Sequence, residues 1–583
     1  MRNLSSAFLA CFFAFNASAT NVYINAAVPQ SGDGTKDSPF KTLNEALNVA
    51  EEGDVIYMAS GTYLPALNEN DARKSTFEIT KGIIIKGGYN ESFSIANGTT
   101  VLSGDLNGDD VYDENGRITG GFEDNCYRVV RTMGEAGDVT IENVTIKGGY
   151  ANGEGYNTGG GMMIQGKSVT LKQVTLSGNF CSGAGGGAIH VRTNLKMDNC
   201  ILSGNQGGGD GGALFINGEA NIKIQNSVFK GNKSTSGAAI FHKHGISFYL
   251  SGNTFMGNEA QTYGTVTLYN KNEAGDFVIV NNTLVNNRVA GNVTGKTLLG
   301  GSALYTYLKS DANVYLVNNT IMGNSVDGRN ADESVAPQLG GAIFARQGNI
   351  KLANNVIAGN TSSSTLGDMY RSDGVITSLF YNLYTSYDNM DAMPDRYDLV
   401  AGETYNGGVN KLMDTFDATM SSGVFTANAV MNGGPTPTVK VVNADTDFDG
   451  LTIRSVPITN LQEETIGADL TNDGDKTGIL KVDQRGYLRS LTGNATIGVY
   501  EVDGVPTGIS IVTDKDSKIK IYNNELIVNT EKPYTYWAYD SEGQLVHAVK
   551  NIFGATHLPD FNPGIYVIKV TGTDFNETIK ARF

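Results

Sequence analysis

An apolar residue, two spacers and an asparagine recur seven times along the middle of the chain. The copies are Leu176-Ser-Gly-Asn179, Leu202-Ser-Gly-Asn205, Phe229-Lys-Gly-Asn232, Phe255-Met-Gly-Asn258, Leu284-Val-Asn-Asn287, Ile321-Met-Gly-Asn324 and Ile357-Ala-Gly-Asn360. Their Asn-to-Asn intervals are 26, 27, 26, 29, 37 and 36 residues. A period of this length marks a stacked-repeat architecture. Ahead of the Asn elements lie strands that alternate with period two, with Val169/Leu171, Leu195/Met197, Ile222/Ile224, Phe248/Leu250, Val314/Leu316 and Ile350/Leu352 on one side. Alternation turns those residues inward and the intervening Lys, Thr and Tyr outward. A third strand opens on glycines, as in Gly186-Gly-Ala-Ile189, Gly211-Gly-Ala-Leu214, Gly300-Gly-Ser-Ala-Leu304 and Gly340-Gly-Ala-Ile343.

Three short strands in about 25 residues, without a crossover helix, make one coil of a β-helix. A WD-type propeller blade needs about 40 residues for its four strands, which the short intervals exclude. Eight coils stacked at about 4.8 Å span roughly 40 Å. The fold class is therefore all-β: a right-handed parallel β-helix, three strands per coil with an N-terminal capping helix, followed by a small antiparallel β-sandwich. Leu176, Leu202, Phe229, Phe255, Leu284, Ile321 and Ile357 should stack in one inward column. The asparagines from Asn179 to Asn360 should form a structural ladder in turns, where Asn tolerates left-handed dihedrals and its amide bonds between coils.

The 73 glycines fit turn punctuation for many short strands. The formal charge of −17 repels phosphate backbones, so nucleic acid is excluded as a partner. Arg2, the apolar run Leu4 to Phe15 and Ala17-Ser18-Ala19 read as an export signal cleaved after Ala19. No later apolar run approaches the ~20 residues of a spanning helix. Cys126, Cys181 and Cys200 lack metal-like spacing and read as small buried hydrophobes rather than a disulfide framework.

Aligning the glycine-opened strands places His190, Phe215, Phe241, Tyr269, Tyr305 and Phe344 at one position. Their neighbours Ile189, Leu214, Ile240, Leu268, Leu304 and Ile343 point the other way. If the aliphatic column fills the bore, the rings line an outer face on which sugars stack. If the faces are reversed, the rings are a buried stack. Asp105-x-Asn107-x-Asp109 and Asp445-x-Asp447-x-Asp449-Gly450 copy the first oxygen ligands of an EF-hand loop, so calcium is the candidate metal. Both lack the twelfth-position Glu, replaced by Gly116 and Val456. His242-Lys-His244 has no third ligand nearby and reads as a solvated turn. For catalysis, Asp210, Asp368 and Asp373 are the acids that three dimensions could bring together; no Ser/His/Asp signature or phosphate loop appears.

The paired Gly-Gly-Ala and Phe-x-x-Asn elements resemble the repeats of polymorphic outer-membrane proteins and related bacterial surface β-helices. Asp37-Ser-Pro-Phe-Lys-Thr-Leu43, the helix Leu43 to Glu51, Gly53-Asp-Val-Ile-Tyr57 and Gly61-Thr-Tyr63 resemble the opening cap of a pectate-lyase-like β-helix. Leu43, Ala46, Leu47 and Ala50 give that helix one apolar face. Gly433-Gly-Pro-Thr-Pro-Thr438, Asp483-Gln-Arg-Gly486, Arg489 and Ile497-Gly-Val-Tyr-Glu501 resemble the end of choice-of-anchor Q proteins. The run from Leu558 to Tyr566 and the terminal Lys580-Ala-Arg resemble a type IX secretion sorting domain, without that family's Tyr-Pro-Asn-Pro.

With the export signal at 1–19, these resemblances imply a β-helix over 20–505 and a sorting-like β-sandwich over 506–583. Within the β-helix they imply a cap at 20–65, regular coils at about 130–365 and irregular coils at 366–505. They imply an exported, monomeric protein at the cell surface, outer membrane or outside the cell. Adhesion to an extracellular glycan or host matrix molecule is the function expected. A polysaccharide lyase or glycoside hydrolase and a structural stalk are the alternatives.

Overall fold

A computed structural model describes residues 19–582 apart from 272–274, 294–298, 328, 331–337, 363–364, 386–397, 402–404, 423, 475, 490–493, 503, 507–518, 523–524, 529–531, 541–543, 553–555, 560–564 and 573–575. The expected signal segment, residues 1–18, lies outside the described residues. Parallel strands stack into long columns. Two twelve-stranded sheets run from Asn21–Ile24 to Val375–Phe380 and from Gly61–Tyr63 to Leu399–Val400. The glycine-opened strands build a ten-stranded sheet from Phe77–Ile79 to Met369–Arg371. The chain is thus a parallel β-helix. Its coils also carry a fourth short strand, such as Phe180–Cys181 or Gln206–Gly207, because the residues after each ladder Asn pair in parallel too.

The inward column stands as expected. Leu176, Leu202, Phe229, Phe255, Leu284, Ile321 and Ile357 are in register one after another, and none is more than 3% exposed. Phe229 and Phe255 stack at 4.7 Å.

The ladder asparagines differ from expectation in one respect. The left-handed corner belongs to the residue before each of them, as at Gly178, Gly204 and Gly231 with φ of 60°, 63° and 64°. Glycine adopts this conformation without steric cost, which frees the asparagine to point inward. Asn205 Nδ2 donates to Leu176 O (2.9 Å) and Asn232 Oδ1 (3.1 Å), and its Oδ1 accepts from Asn179 N (3.1 Å) and Asn179 Nδ2 (3.0 Å). The pattern repeats to Asn360, which donates to Asp368 Oδ1. A parallel ladder starts at Ser227, runs through Asn253, Asn282, Asn319, Asn355 and Asn382, and ends on Asp398 Oδ1. Each ladder closes on aspartate because the last member only has to accept from the one before it.

At the N-terminal end the helix Leu43–Val49, fixed by a Thr42–Glu45 capping box, buries Leu43 and Ala46 over the opening coil. Cys126, Cys181 and Cys200 are buried and free.

The chain after the last coil returns along the outside. Val278, Val280, Val285, Tyr315, Val317, Met322 and Ala353 form an apolar cluster with residues from Leu399 to Ile497. The Asp483-Gln-Arg-Gly486 turn is the clamp. Gln484 Nε2 donates to Thr254 Oγ1 (2.9 Å) and Asn253 O (3.1 Å), and its Oε1 accepts from Thr283 Oγ1 (2.7 Å). Arg489, wholly buried, donates to Asn281 Oδ1, Thr496 O and Gly498 O beside Glu501. These two residues join the returning segment to coils that lie about 200 residues earlier in the chain.

From Ala418 on the described strands pair antiparallel, and from Ile519 they form larger sheets. A three-stranded sheet and the four-stranded sheet of Leu545–Ile552, Tyr534–Tyr539, Ile565–Gly572 and Asn576–Arg582 share a core of Leu526, Val528, Tyr534, Tyr536, Leu558 and Ile568. Among the described residues no helix is long and apolar enough to cross a membrane.

Candidate functional site

In the ten-stranded sheet, Ile189, Leu214, Ile240, Val266, Leu304 and Ile343 face the bore. The alternate residues form an outer column of Met163, His190, Phe215, Phe241, Thr267, Tyr305, Phe344 and Tyr370. Five of the six ladder residues named above stand in this column. Tyr269 does not, because Gly264 starts its strand two residues earlier than the alignment assumed and Thr267 takes the place. A slip of two keeps the facing, so Tyr269 lies one outward step along and still meets Phe241 at 5.9 Å.

The column is outside the bore yet covered. His190, Phe215, Phe241, Tyr305 and Phe344 are no more than 6% exposed and pack ring to ring at 5.3–5.8 Å where adjacent. They also fill the left-handed glycine corners: a methyl at Gly237 would sit 2.8 Å from Phe241 Cβ, and one at Gly301 3.0 Å from Phe344 Cβ. Neither expected alternative holds, and these five residues cannot stack on a ligand. Burial pushes the His190 imidazole down to about 3, with Arg192 and Arg128 adding to the shift. His242 is inside the bore against Phe248 and Phe277, and burial pushes it down to about 4, so it is not half of a surface metal pair.

The accessible aromatics gather beside the upper part of the column. Tyr263, Tyr269 and Tyr307 are half-buried, and Tyr263 stacks on the covered Tyr305 at 4.2 Å. Tyr269 and Tyr307 meet edge to face at 5.2 Å. Lys271 Nζ lies 3.6 Å from the Tyr307 ring centroid and 5.4 Å from that of Tyr269, and Arg346 Cζ lies 4.2 Å from the Tyr307 centroid. Arg346 Nη1 donates to Tyr305 OH at 3.3 Å. The Lys271 ammonium holds the Tyr307 hydroxyl below its usual range, whereas burial pushes Tyr305 up. The cluster offers apolar ring faces next to two cationic donors, the pairing that recognises a sugar's C–H face and its oxygen substituents.

The acids named for catalysis are dispersed. Asp210 aligns with Ser236 about five coils before Asp368, roughly 24 Å away at the strand spacing. Asp368 is fully buried as the ladder terminus, accepting from Asn360 and from Thr385 N (2.7 Å). Asp373 is exposed.

Of the two calcium-like loops, one closes. Carboxylate oxygens of Asp105, Asp109 and Asp124 lie within 4.8 Å of one another. Asp105 Oδ1 accepts from Gly108 N (2.6 Å), Asp124 Oδ2 from Asn107 N (2.9 Å), and Asn107 Oδ1 from Asp109 N (3.1 Å). Asp124 was missed because it lies beyond the hairpin Val111–Tyr112/Ile118–Gly120, whose tip takes up the expected twelfth position at Gly116. The Asp445 loop does not converge: Asp445 pairs with Arg454 (3.3 Å), Asp449 with Lys411 (3.7 Å), and Asp447 accepts from Gly450 N. Glu463, Asp469 and Asp473 make a second acidic group, in which Glu463 accepts from Leu470 N, Thr471 N and Gly478 N, as Asp105 accepts from Gly108 N in the first.

Over 273 residues the chain is 26% identical to a protein named "Probable autotransporter YfaL" from Escherichia coli (strain K12), covering 42% of this chain and 21% of that protein. The chain thus spans about a fifth of that relative's length. Among solved structures it is similar to a pectin methylesterase mutant bound to a hexasaccharide, at 11% identity and TM-score 0.24, covering 55% of this chain and 94% of that one. It is also similar to a rhamnogalacturonan lyase, at 15% identity and TM-score 0.25, with 67% and 88% covered. Residues 28–294 match the family model described as "Protein of unknown function (DUF1565)".

Proposed function

We propose that this chain is an exported, surface-displayed β-helix that binds an extracellular glycan or host matrix molecule through Tyr269, Tyr307, Lys271 and Arg346. The observation that carries the reading is the half-exposed Tyr307 ring with Lys271 Nζ 3.6 Å and Arg346 Cζ 4.2 Å from its centroid. That arrangement suits recognition, while the dispersal of Asp210, Asp368 and Asp373 gives a lyase or hydrolase no compact acid–base pair to work with. Similarity to a protein named as a probable autotransporter supports surface display. In this reading residues 20–505 present the ligand face and residues 506–583, antiparallel where described, serve export or anchoring in the manner of a sorting domain. The Asp105, Asn107, Asp109 and Asp124 loop is its calcium site, which ties the hairpin to the coils. Incubating the purified protein with a polysaccharide panel, while following binding, product absorbance and new reducing ends, tests the reading. Saturable binding without product supports it; turnover of any member replaces it with the enzyme reading.

A further inference from the structure

A second polar surface lies on the first twelve-stranded sheet, separate from the tyrosine cluster. Its outward column runs Thr170, Lys196, Lys223, Tyr249 and then Val278, each in register with the next. From Tyr249 onward this face is covered by the returning segment. Before it, the face stays open as a groove of about 330 Å³ that includes Lys196 and Lys223 and ends against Asn472 of that segment.

The charges in this groove do not balance. Lys167 is neutralised by Asp138 at 2.6 Å and Lys172 by Glu142 at 2.9 Å. Lys196 and Lys223 face each other across one strand spacing, and among the described residues neither has a carboxylate within 4.0 Å. Two like charges directly opposite on neighbouring strands destabilise a sheet. Asp198, the nearest acid on the strand of Lys196, is engaged by Asn226 Nδ2 at 2.8 Å. Lys223 is further confined, with Nζ 5.3 Å from the Tyr249 ring centroid. Asp138, paired with Lys167, lines the same hollow, and Asp469 and Asp198 attract Lys223 from beyond ion-pair distance, so among the described residues neither Lys196 nor Lys223 closes an ion pair of its own.

Alongside the lysines runs a row of side chains that can meet hydroxyl groups. Asn194 Oδ1 accepts from Asn221 N (2.8 Å) and Asn221 Oδ1 accepts from Ser247 Oγ (2.8 Å), so polar groups repeat once per coil. We infer that this groove binds an oxyanion-bearing polysaccharide, its carboxylate or sulfate group bridging Lys196 and Lys223 and its hydroxyls lying along Asn194, Asn221 and Ser247. Lysines in register on adjacent strands, whose backbones lie about 4.8 Å apart, can each bring an ammonium to a different oxygen of a single such group at charge-assisted hydrogen-bond distance. The inference rests on the glycan-binding reading and names a class of ligand for a second face.

Three polymers with one backbone test it: dextran, carboxymethyl-dextran and dextran sulfate, titrated against the full chain at low and moderate salt, with sodium sulfate as the free-anion arm. The expected result is that at least one anionic polymer binds, that dextran does not bind at this groove, and that each of Lys196→Gln and Lys223→Gln weakens binding by about tenfold, the loss of one charge-assisted contact. Lys172→Gln, on the same sheet, should keep binding intact. Lys196→Gln should not lower the melting temperature, since it removes a like-charge repulsion and no ion pair, which separates a ligand role from a structural one; Lys223→Gln also gives up the contact with the Tyr249 ring. Anionic binding unchanged in both lysine variants, no anionic binding at all, or sodium sulfate binding as tightly as the polymers would each overturn the inference. Failure of the tyrosine-site reading is a distinct result, read as unchanged polysaccharide binding in Tyr307→Ala with the lysines intact.

Discussion

Replacing Asn258 by leucine tests what holds the coils in register. The side chain of Asn258 is wholly buried, and leucine is close enough in volume to leave little cavity. Four hydrogen bonds disappear with the amide. Its Oδ1 accepts from Asn232 N and Asn232 Nδ2, both at 3.0 Å, and its Nδ2 donates to Phe229 O and Asn287 Oδ1, both at 2.9 Å. At a net ~1 kcal/mol for each, the loss is about 4 kcal/mol, and Asn232 N–H is left buried without a partner, which adds to it. Asn258→Asp should be comparably harmful at neutral pH, because a carboxylate keeps the two acceptor contacts but faces the oxygens of Phe229 and Asn287 with no proton to offer. Urea unfolding followed by circular dichroism reads both. A loss below about 1 kcal/mol for Asn258→Leu would show that the ladder decorates the coils instead of fixing them, and the reasoning would fail.

Stability should fall as the pH is lowered from 7 to 5. His190 and His242 have folded-state values of about 3 and about 4, below the ordinary 6.5, so the unfolded chain binds more protons in this window and each contributes a loss of about 2 kcal/mol. His242→Phe, an apolar ring among Phe248 and Phe277, should flatten part of that slope in melts at the two pH values; an unchanged slope would contradict the buried neutral histidine. Millimolar Ca²⁺ should raise the melting temperature, and Asp124→Asn should abolish the rise while Asp447→Asn keeps it; an equal effect from both would remove the site from the Asp105 loop. Truncation after Pro506 should leave a folded, soluble β-helix but reduce surface retention in cell fractionation, and unchanged retention would count against a sorting role for residues 507–583.

The repeat made the bore legible, because each inward residue sits at a fixed offset from a left-handed glycine. Leu202, Phe229 and Phe255 could be placed from the Gly-Asn that follows them. What escaped depends on contacts between distant segments. The return of residues 399–497 along the outside leaves only an indirect trace: the outward column of Lys196 and Lys223 carries Val278 and Tyr315 in later coils, and that of Asp198 and Gln225 carries Val280, Val317 and Ala353. Strands apolar on both faces announce a second covered surface, and that signal was available. The Asp483-Gln-Arg-Gly486 turn was visible as a motif, but its bonds to Thr254 and Thr283 were not, since nothing local links them. Asp124 was hidden by the hairpin before it. The aromatic column was found with one member misplaced, and its covering was not foreseen. Alternation distinguishes the two faces of a strand, and says nothing about what later packs over them.

Titrating a bound polysaccharide against variants of the tyrosine cluster tests the binding account most directly. Tyr269→Ala and Tyr307→Ala should each weaken binding by about 1 kcal/mol, roughly fivefold, the contribution of one stacked ring. Tyr305→Ala, at a wholly covered position, should lower stability first. Wild-type protein should release no new reducing ends and no unsaturated product over the same titration. Full affinity in the Tyr269→Ala, Tyr307→Ala double variant, or turnover that disappears when a single carboxylate is replaced, would contradict the account.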